Sequence, residues 1–220
     1  MKTSLSTTLL ILLFLVSACQ KSGSGSAEPP VLIPTIAKGA DVSWVTQMES
    51  AGIKFYNSAG TQTECMQLLK SLGMNSIRLR VWVNPAGGWN NAADVVAKAI
   101  RAKNLGMKLM IDFHYSDSWA DPGQQTKPAA WSTLTLAGLQ TSITQHTTAI
   151  LTDLKNAGIT PTWVQIGNET NNGMLWPEGK ASTNMANFAS MVNAGYNAVK
   201  AINSNIKVIV HLSNGYDNAL

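Results

Sequence analysis

The string Val164-Gln165-Ile166-Gly167-Asn168-Glu169-Thr170-Asn171 ends an apolar run on an amide followed by a carboxylate. A glutamate at the end of a strand can serve as a general acid if apolar or like-charged neighbours raise its pKa. The plainer alternative is that Glu169 caps the next helix or pairs with Arg78 or Arg80. Asp112, His114 and Asp117 form a second polar set, and His211, on one strand face with Ser213, is a candidate for the same cleft. With three histidines and no His-x-x-x-His pair, no metal site is expected. His146 falls in a helical pattern and reads as a surface residue.

Of seven tryptophans, Trp44, Trp82, Trp89, Trp119, Trp131 and Trp176 follow strand-like runs, and only Trp163 lies inside the start of one. Indole faces around a cleft stack on sugar rings, while neighbouring Asn, Asp and His side chains bond the hydroxyls. Some of these rings must instead fill small cores under loops, Trp131 first among them. No Gly-x-Ser-x-Gly elbow, P-loop or Gly-x-Gly-x-x-Gly is present, which removes serine hydrolases and the usual nucleotide binders. Two carboxylates acting across a glycosidic bond remain the most economical chemistry.

The elements that must hold these residues alternate. Strands are expected at Gly39–Ser43, Ser76–Val83, Lys108–Tyr115, Thr162–Asn168 and Lys207–Leu212. Helices are expected at Thr63–Leu72, opened by a capping-box spacing at Thr61 to Glu64, and at Ala92–Leu105, Thr133–Ala157 and Thr183–Ile202. Gly73, Gly106 and Gly158 stop three of them. Arg78, Arg80 and Trp82 alternate with Ile77, Leu79 and Val81, and Asp112 and His114 with Ile111 and Phe113. A doubly wound sheet would bury both faces and read as continuous apolar runs. A polar face toward the C-terminal strand ends fits the lumen of a (β/α)8 barrel, with about five βα units in this chain.

The 220 residues suffice for one single-core domain. Sixteen basic and 12 acidic residues leave a net charge of +4, too weak a field for a nucleic-acid surface. Residues 1–18 read as a lipoprotein signal peptide: Lys2, a short apolar stretch, then Val16-Ser17-Ala18-Cys19, which resembles a lipobox with Cys19 as the lipidated residue. Residues 19–36 would be a lipid-anchored flexible linker, rich in Gly and Ser before Pro29-Pro30. The expected location is the bacterial cell surface or outer membrane. Cys65 has no cysteine left to pair with and reads as a small buried apolar residue.

These motifs, together with Lys38-Gly39-Ala40-Asp41-Val42-Ser43 and Gly52-Ile53-Lys54-Phe55-Tyr56-Asn57, resemble glycoside hydrolase family 53, the arabinogalactan endo-β-1,4-galactanases. The resemblance implies a (β/α)8 catalytic domain over 37–220, a retaining double displacement, and β-1,4-galactan of pectin as the polysaccharide partner. It assigns Glu169 as acid/base and Asn168 as the residue holding the 2-hydroxyl. Arg80 and His114 would line the subsite of cleavage, with Asp112, Trp82, Asp117, Trp119, Trp176 and His211 around it. It also implies a nucleophile on the seventh strand, absent from this chain, so the domain is expected to be C-terminally truncated and inactive alone. No cofactor is expected beyond a structural calcium, which some bacterial members hold in the last loops. The protein is expected to be a monomer. Open alternatives are a mannanase or cellulase of the same clan, and a non-catalytic surface glycan-binding lipoprotein.

Overall fold

The structure is a computed structural model that describes residues 36–215. The signal peptide over 1–18, Cys19 and all but the last residue of the linker lie outside the described residues. The elements run β1 Gly39–Asp41, α1 Val45–Ser50, α2 Cys65–Ser71, β2 Ser76–Val81, α3 Ala92–Asn104, β3 Lys108–Phe113, a 3-10 turn at Ala129–Trp131, α4 Leu136–Asn156, β4 Trp163–Ile166, α5 Ala181–Ile202 and β5 Lys207–Ile209. All five strands are parallel, in the spatial order β1-β2-β3-β4-β5. A doubly wound sheet reverses its strand order, whereas a (β/α)8 barrel adds each strand beside the last, so this sheet is an arc of a barrel.

The ladder registers sort the side chains by face. Leu79, Ile111, Val164 and Val208 form one cross-strand row, and Val81, Phe113 and Ile166 the next. Both rows meet the apolar stripes of α3, α4 and α5, with Val95, Ala99, Leu139, Ile143, Leu154 and Val199 in the same buried cluster. Each Val, Leu, Ile or Phe side chain among them contributes about 1.5–3 kcal/mol by leaving water. Arg80, Asp112, Gln165 and Ile209 form the intervening row and point the other way, into the lumen. At Gly195 of α5 an added Cβ would lie 2.9 Å from Ile166, which lets the helix approach β4 closely.

The strands stop short of their expected ends because the chain leaves the pleat: Tyr115 after β3 and Glu169 after β4 take left-handed φ values of 51° and 48°. The helix expected from Thr133 begins at Leu136, since the Thr135 side chain accepts from the Gly138 amide as its N-cap. At α2 the cap is Glu64, whose carboxylate accepts from Gln67 N at 2.6 Å; Thr61 is held instead in a turn by Asn57. Helix α1 occupies a stretch expected to be loop. Gly73, Gly106 and Gly158 stop their helices in left-handed conformations. Cys65 is buried and has no disulfide partner among the described residues, and Trp131 is buried over Tyr115.

His146 is not the surface residue expected. Its ring stands edge-on to Phe113, Trp131 and Tyr115, at 5.7, 6.1 and 6.3 Å between centroids. Its Nε2 is buried without a hydrogen-bond partner among the described residues. The signal was available in its position within the stripe of Ile143, Thr147 and Ile150.

Candidate active site

The lumen face of β2 to β4 carries a continuous polar network. Arg78 reaches Asp41 through Nη1 at 2.5 Å, and through Nη2 reaches Asp112 at 2.7 Å and Asn168 Oδ1 at 2.8 Å. Burial works to raise the Asp41 pKa, but the Ser43 hydroxyl and amide and the Arg78 charge outweigh it and hold the carboxyl below its ordinary range. Asp112 is wholly buried and also accepts from Gln165 Nε2 at 2.5 Å and from His114 Nε2 at 2.9 Å. The His114 tautomer follows from its other side: Nδ1 faces the Trp82 indole N–H at 3.3 Å and the Ala120 amide at 3.2 Å, so Nδ1 accepts and Nε2 carries the proton. Both nitrogens are thus spent on the wall of the site.

Arg80 is treated differently. It is 3% exposed, and its guanidinium carbon lies 4.2 Å from the Trp119 ring centroid, 4.8 Å from Trp82 and 4.9 Å from Trp44. Nε and Nη2 are buried and have no hydrogen-bond partner among the described residues. Such a cation is stabilised by the ring faces while keeping donors for a further acceptor. Trp44 and Trp119 are 49% and 40% exposed, leaving indole surface for a ligand. Beside them lies a cavity of about 460 Å³ lined by Asp41, Ser43, Arg80 and the two rings.

Loop positions in this cradle depend on Lys98 of α3, a fully buried ammonium. It donates to Ser43 O at 2.6 Å, Asp94 Oδ2 at 2.8 Å and Asn90 Oδ1 at 2.9 Å. Burial pushes its pKa down, opposed by Asp94. Sequence reasoning passed over Lys98, although a lone charge near Val95, Ala99 and Ala102 in an apolar stripe was the available signal.

After β4 the chain turns sharply. Gly167 has φ 78°, and an added Cβ would lie 2.5 Å from Thr170 Cγ2, so only glycine fits. Asn168 follows, 4% exposed: its Nδ2 donates to Ala120 O at 2.8 Å, and its Oδ1 faces Arg78 and His211. His211 Nδ1 lies 3.0 Å from that oxygen and 3.3 Å from the Glu169 amide, and serves one or the other according to its tautomer. The half-buried Glu169 carboxylate makes neither an ion pair nor a hydrogen bond among the described residues. It therefore does not pair with Arg78 or Arg80, and the N-cap of α5 is Lys180.

The remaining expected residues lie further out. Both Asp117 oxygens accept backbone amides, of Asn84 and Ala129 at 2.9 Å each, so this carboxylate staples two loops. Trp176 donates to Asn172 O at 2.8 Å and carries the Lys180 ammonium 5.0 Å from its ring centroid. Glu178 is paired with Lys127 at 2.9 Å. Among the described residues no group of three or more His, Cys, Asp or Glu is gathered to hold a metal.

A sequence profile for glycosyl hydrolase family 53 matches residues 37–220. An arabinogalactan endo-β-1,4-galactanase of Thermothelomyces thermophilus is 41% identical over 182 residues, covering 82% of this chain and 54% of that protein. An endo-β-1,4-galactanase of Bacillus subtilis is 37% identical over 185 residues, 80% of this chain and 42% of its own length. Among solved structures, the Ignisphaera aggregans GH53 catalytic domain matches with a TM-score of 0.76 at 38% identity, covering 82% of this chain and 53% of that one. A structure of fungal β-1,4-galactanases matches with a TM-score of 0.78 at 39% identity, covering 81% of this chain and 54% of that one. The chain spans about half the length of the curated relatives it matches. Since the profile covers nearly all of the described barrel arc, and solved relatives share both that arc and 38–39% of its residues, the chain belongs to glycosyl hydrolase family 53.

Proposed function

We propose that the complete gene product hydrolyses internal β-1,4-galactosidic linkages in the (arabino)galactan side chains of pectin, with Glu169 as the acid/base of a retaining double displacement. The observation that carries this reading is the Glu169 carboxylate itself, free of partners among the described residues beside a polar wall whose other carboxylates are engaged. In the first step Glu169 would protonate the departing glycosidic oxygen; in the second it would take a proton from the attacking water. Asn168 Nδ2 donates only to Ala120 O among the described residues, which leaves its second hydrogen for a sugar hydroxyl, and Trp44 and Trp119 offer stacking platforms. Retention needs a second carboxylate about 5–5.5 Å away. Asp41 and Asp112 are tied to Arg78, and Glu178 to Lys127, so that nucleophile is to be sought outside residues 36–215.

Export and lipid anchoring through Cys19, with residues 20–36 as the tether, belong to the same proposal and rest on the lipobox-like string. Product analysis on galactan, mannan and cellulose tests the activity. Oligosaccharides from galactan alone are expected, and release from mannan or cellulose without galactan overturns it. Labelled palmitate should enter the wild-type protein and not Cys19→Ser; equal labelling would remove the anchor.

A further inference from the structure

Gln125 lies on the loop after β3, is 2% exposed, and directs its side chain at the segment that carries Glu169. Its Nε2 lies 2.8 Å from Asn168 O, 3.1 Å from Asp121 O and 3.3 Å from Glu169 O. Three carbonyl oxygens converge on this one atom, which fixes the amide orientation, since an oxygen there would be repelled by all of them. The loop is itself firmly placed. Asp121 and Gln124 exchange backbone hydrogen bonds, the Asp121 carboxylate accepts from Gly123 N at 2.8 Å, and Gln125 O accepts from Trp176 N at 2.8 Å.

Glu169 has φ 48°, a conformation that a residue with a Cβ keeps only when its surroundings impose it. The peptide planes on either side of Glu169 set φ and ψ, and so the direction of its side chain. On the carbonyl side Gln125 contacts both planes, through Asn168 O and Glu169 O. On the amide side both planes face one residue, with Glu169 N at 3.3 Å from His211 Nδ1 and Thr170 N donating to His211 O at 2.8 Å. Gln125 Oε1, by contrast, is buried and has no partner among the described residues. An unpaired buried carbonyl costs stability that an apolar residue of similar size would not incur, so the side chain is kept for its donor end.

We propose that Gln125 is a positioning residue that locks the two peptide planes around Glu169 and thereby aims its carboxyl at the leaving oxygen. This rests on the reading of Glu169 as the acid/base.

The test compares Gln125→Leu, Gln125→Glu and the exposed neighbour Gln124→Ala in the complete gene product, on galactan and on 2,4-dinitrophenyl β-galactobioside. The dinitrophenolate leaves without protonation, so kcat/KM on it does not depend on a well-aimed acid. Gln125→Leu should lower kcat/KM on galactan by roughly 10- to 100-fold, mostly through kcat, and change kcat/KM on the aryl glycoside by less than about threefold. Gln125→Glu presents a carboxylate to carbonyl oxygens and should lose galactan activity at neutral pH. It should partly recover at lower pH, relative to wild type, as the carboxyl protonates and regains a donor. Gln124→Ala should match wild type. Equal losses on both substrates, no loss on galactan, or no acid recovery in Gln125→Glu overturns the proposal; if Gln125→Leu does not fold, Gln125→Glu decides alone. Failure of the wild-type protein to cleave galactan would count against the parent reading. An active wild type that loses galactan cleavage in Glu169→Gln, with Gln125 variants unaffected, overturns only this inference.

Discussion

Arg78 Nη2 on β2 donates to Asn168 Oδ1 beyond the end of β4, 2.8 Å away across the lumen. The same guanidinium holds Asp41 and the wholly buried Asp112, so one side chain fixes the relation of β1, β2, β3 and the residue before Glu169. Lysine cannot replace a planar fork that serves partners in two directions. Arg78→Lys and Arg78→Met should both destabilise the complete gene product, by about 2–3 kcal/mol for Met after allowance for the partial exposure of this side chain. Urea unfolding measures it, and a loss of only a few tenths would show that Asp112 is compensated without Arg78.

Glu169→Gln keeps the shape of the side chain and removes its proton. In the complete gene product kcat/KM on galactan should fall by roughly 10²- to 10⁴-fold, while galacto-oligosaccharide affinity by titration calorimetry stays near wild type. Near-normal turnover would exclude Glu169 from the proton transfers.

Lys98→Met leaves Ser43 O, Asn90 Oδ1 and part of the Asp94 carboxylate without their donor in a buried setting. Asp94 keeps the Thr46 hydroxyl and the Asn90 amide, each at 2.6 Å. A destabilisation of about 2–4 kcal/mol is expected, with a red shift of tryptophan emission as the loops bearing Trp44 and Trp82 loosen around Arg80. Unchanged emission would show that those rings hold their places without the ammonium.

Burial holds the His146 pKa down to about 4, below the ordinary imidazole value of about 6.5. The unfolded chain therefore binds a proton at this residue before the folded one does, and folding stability falls as the pH drops through the interval from about 6.5 to about 4. His146 alone should contribute a loss of roughly 2–3 kcal/mol over that range and none above it. His146→Phe, which keeps the ring contacts to Phe113 and Trp131, should flatten this part of the stability profile in pH-dependent urea titrations. A profile as steep as wild type would assign the acid sensitivity to other groups.

Much of the fold is local and therefore legible in the chain. The period-two alternation of Arg78 and Arg80 with Ile77 and Leu79 states which face is polar, and Gly73, Gly106 and Gly158 mark where helices end. Together they fix five parallel strands with intervening helices. The Asn168-Glu169 pair and the tryptophans following strands are likewise visible as strings, as is the family resemblance. Tertiary structure decided what those polar groups do. In a parallel sheet every strand contact is non-local, so nothing near Arg78 in sequence shows that it serves Asp41, Asp112 and Asn168 together. The spent nitrogens of His114, the stapling role of Asp117 and the unpartnered guanidinium of Arg80 depend on loops that meet only when the sheet forms. Gln125 carries no sequence signal of its own. Its contacts with the peptide planes of Glu169 arise because the loops after β3 and β4 share one rim of the arc, where a single amide reaches both carbonyl oxygens.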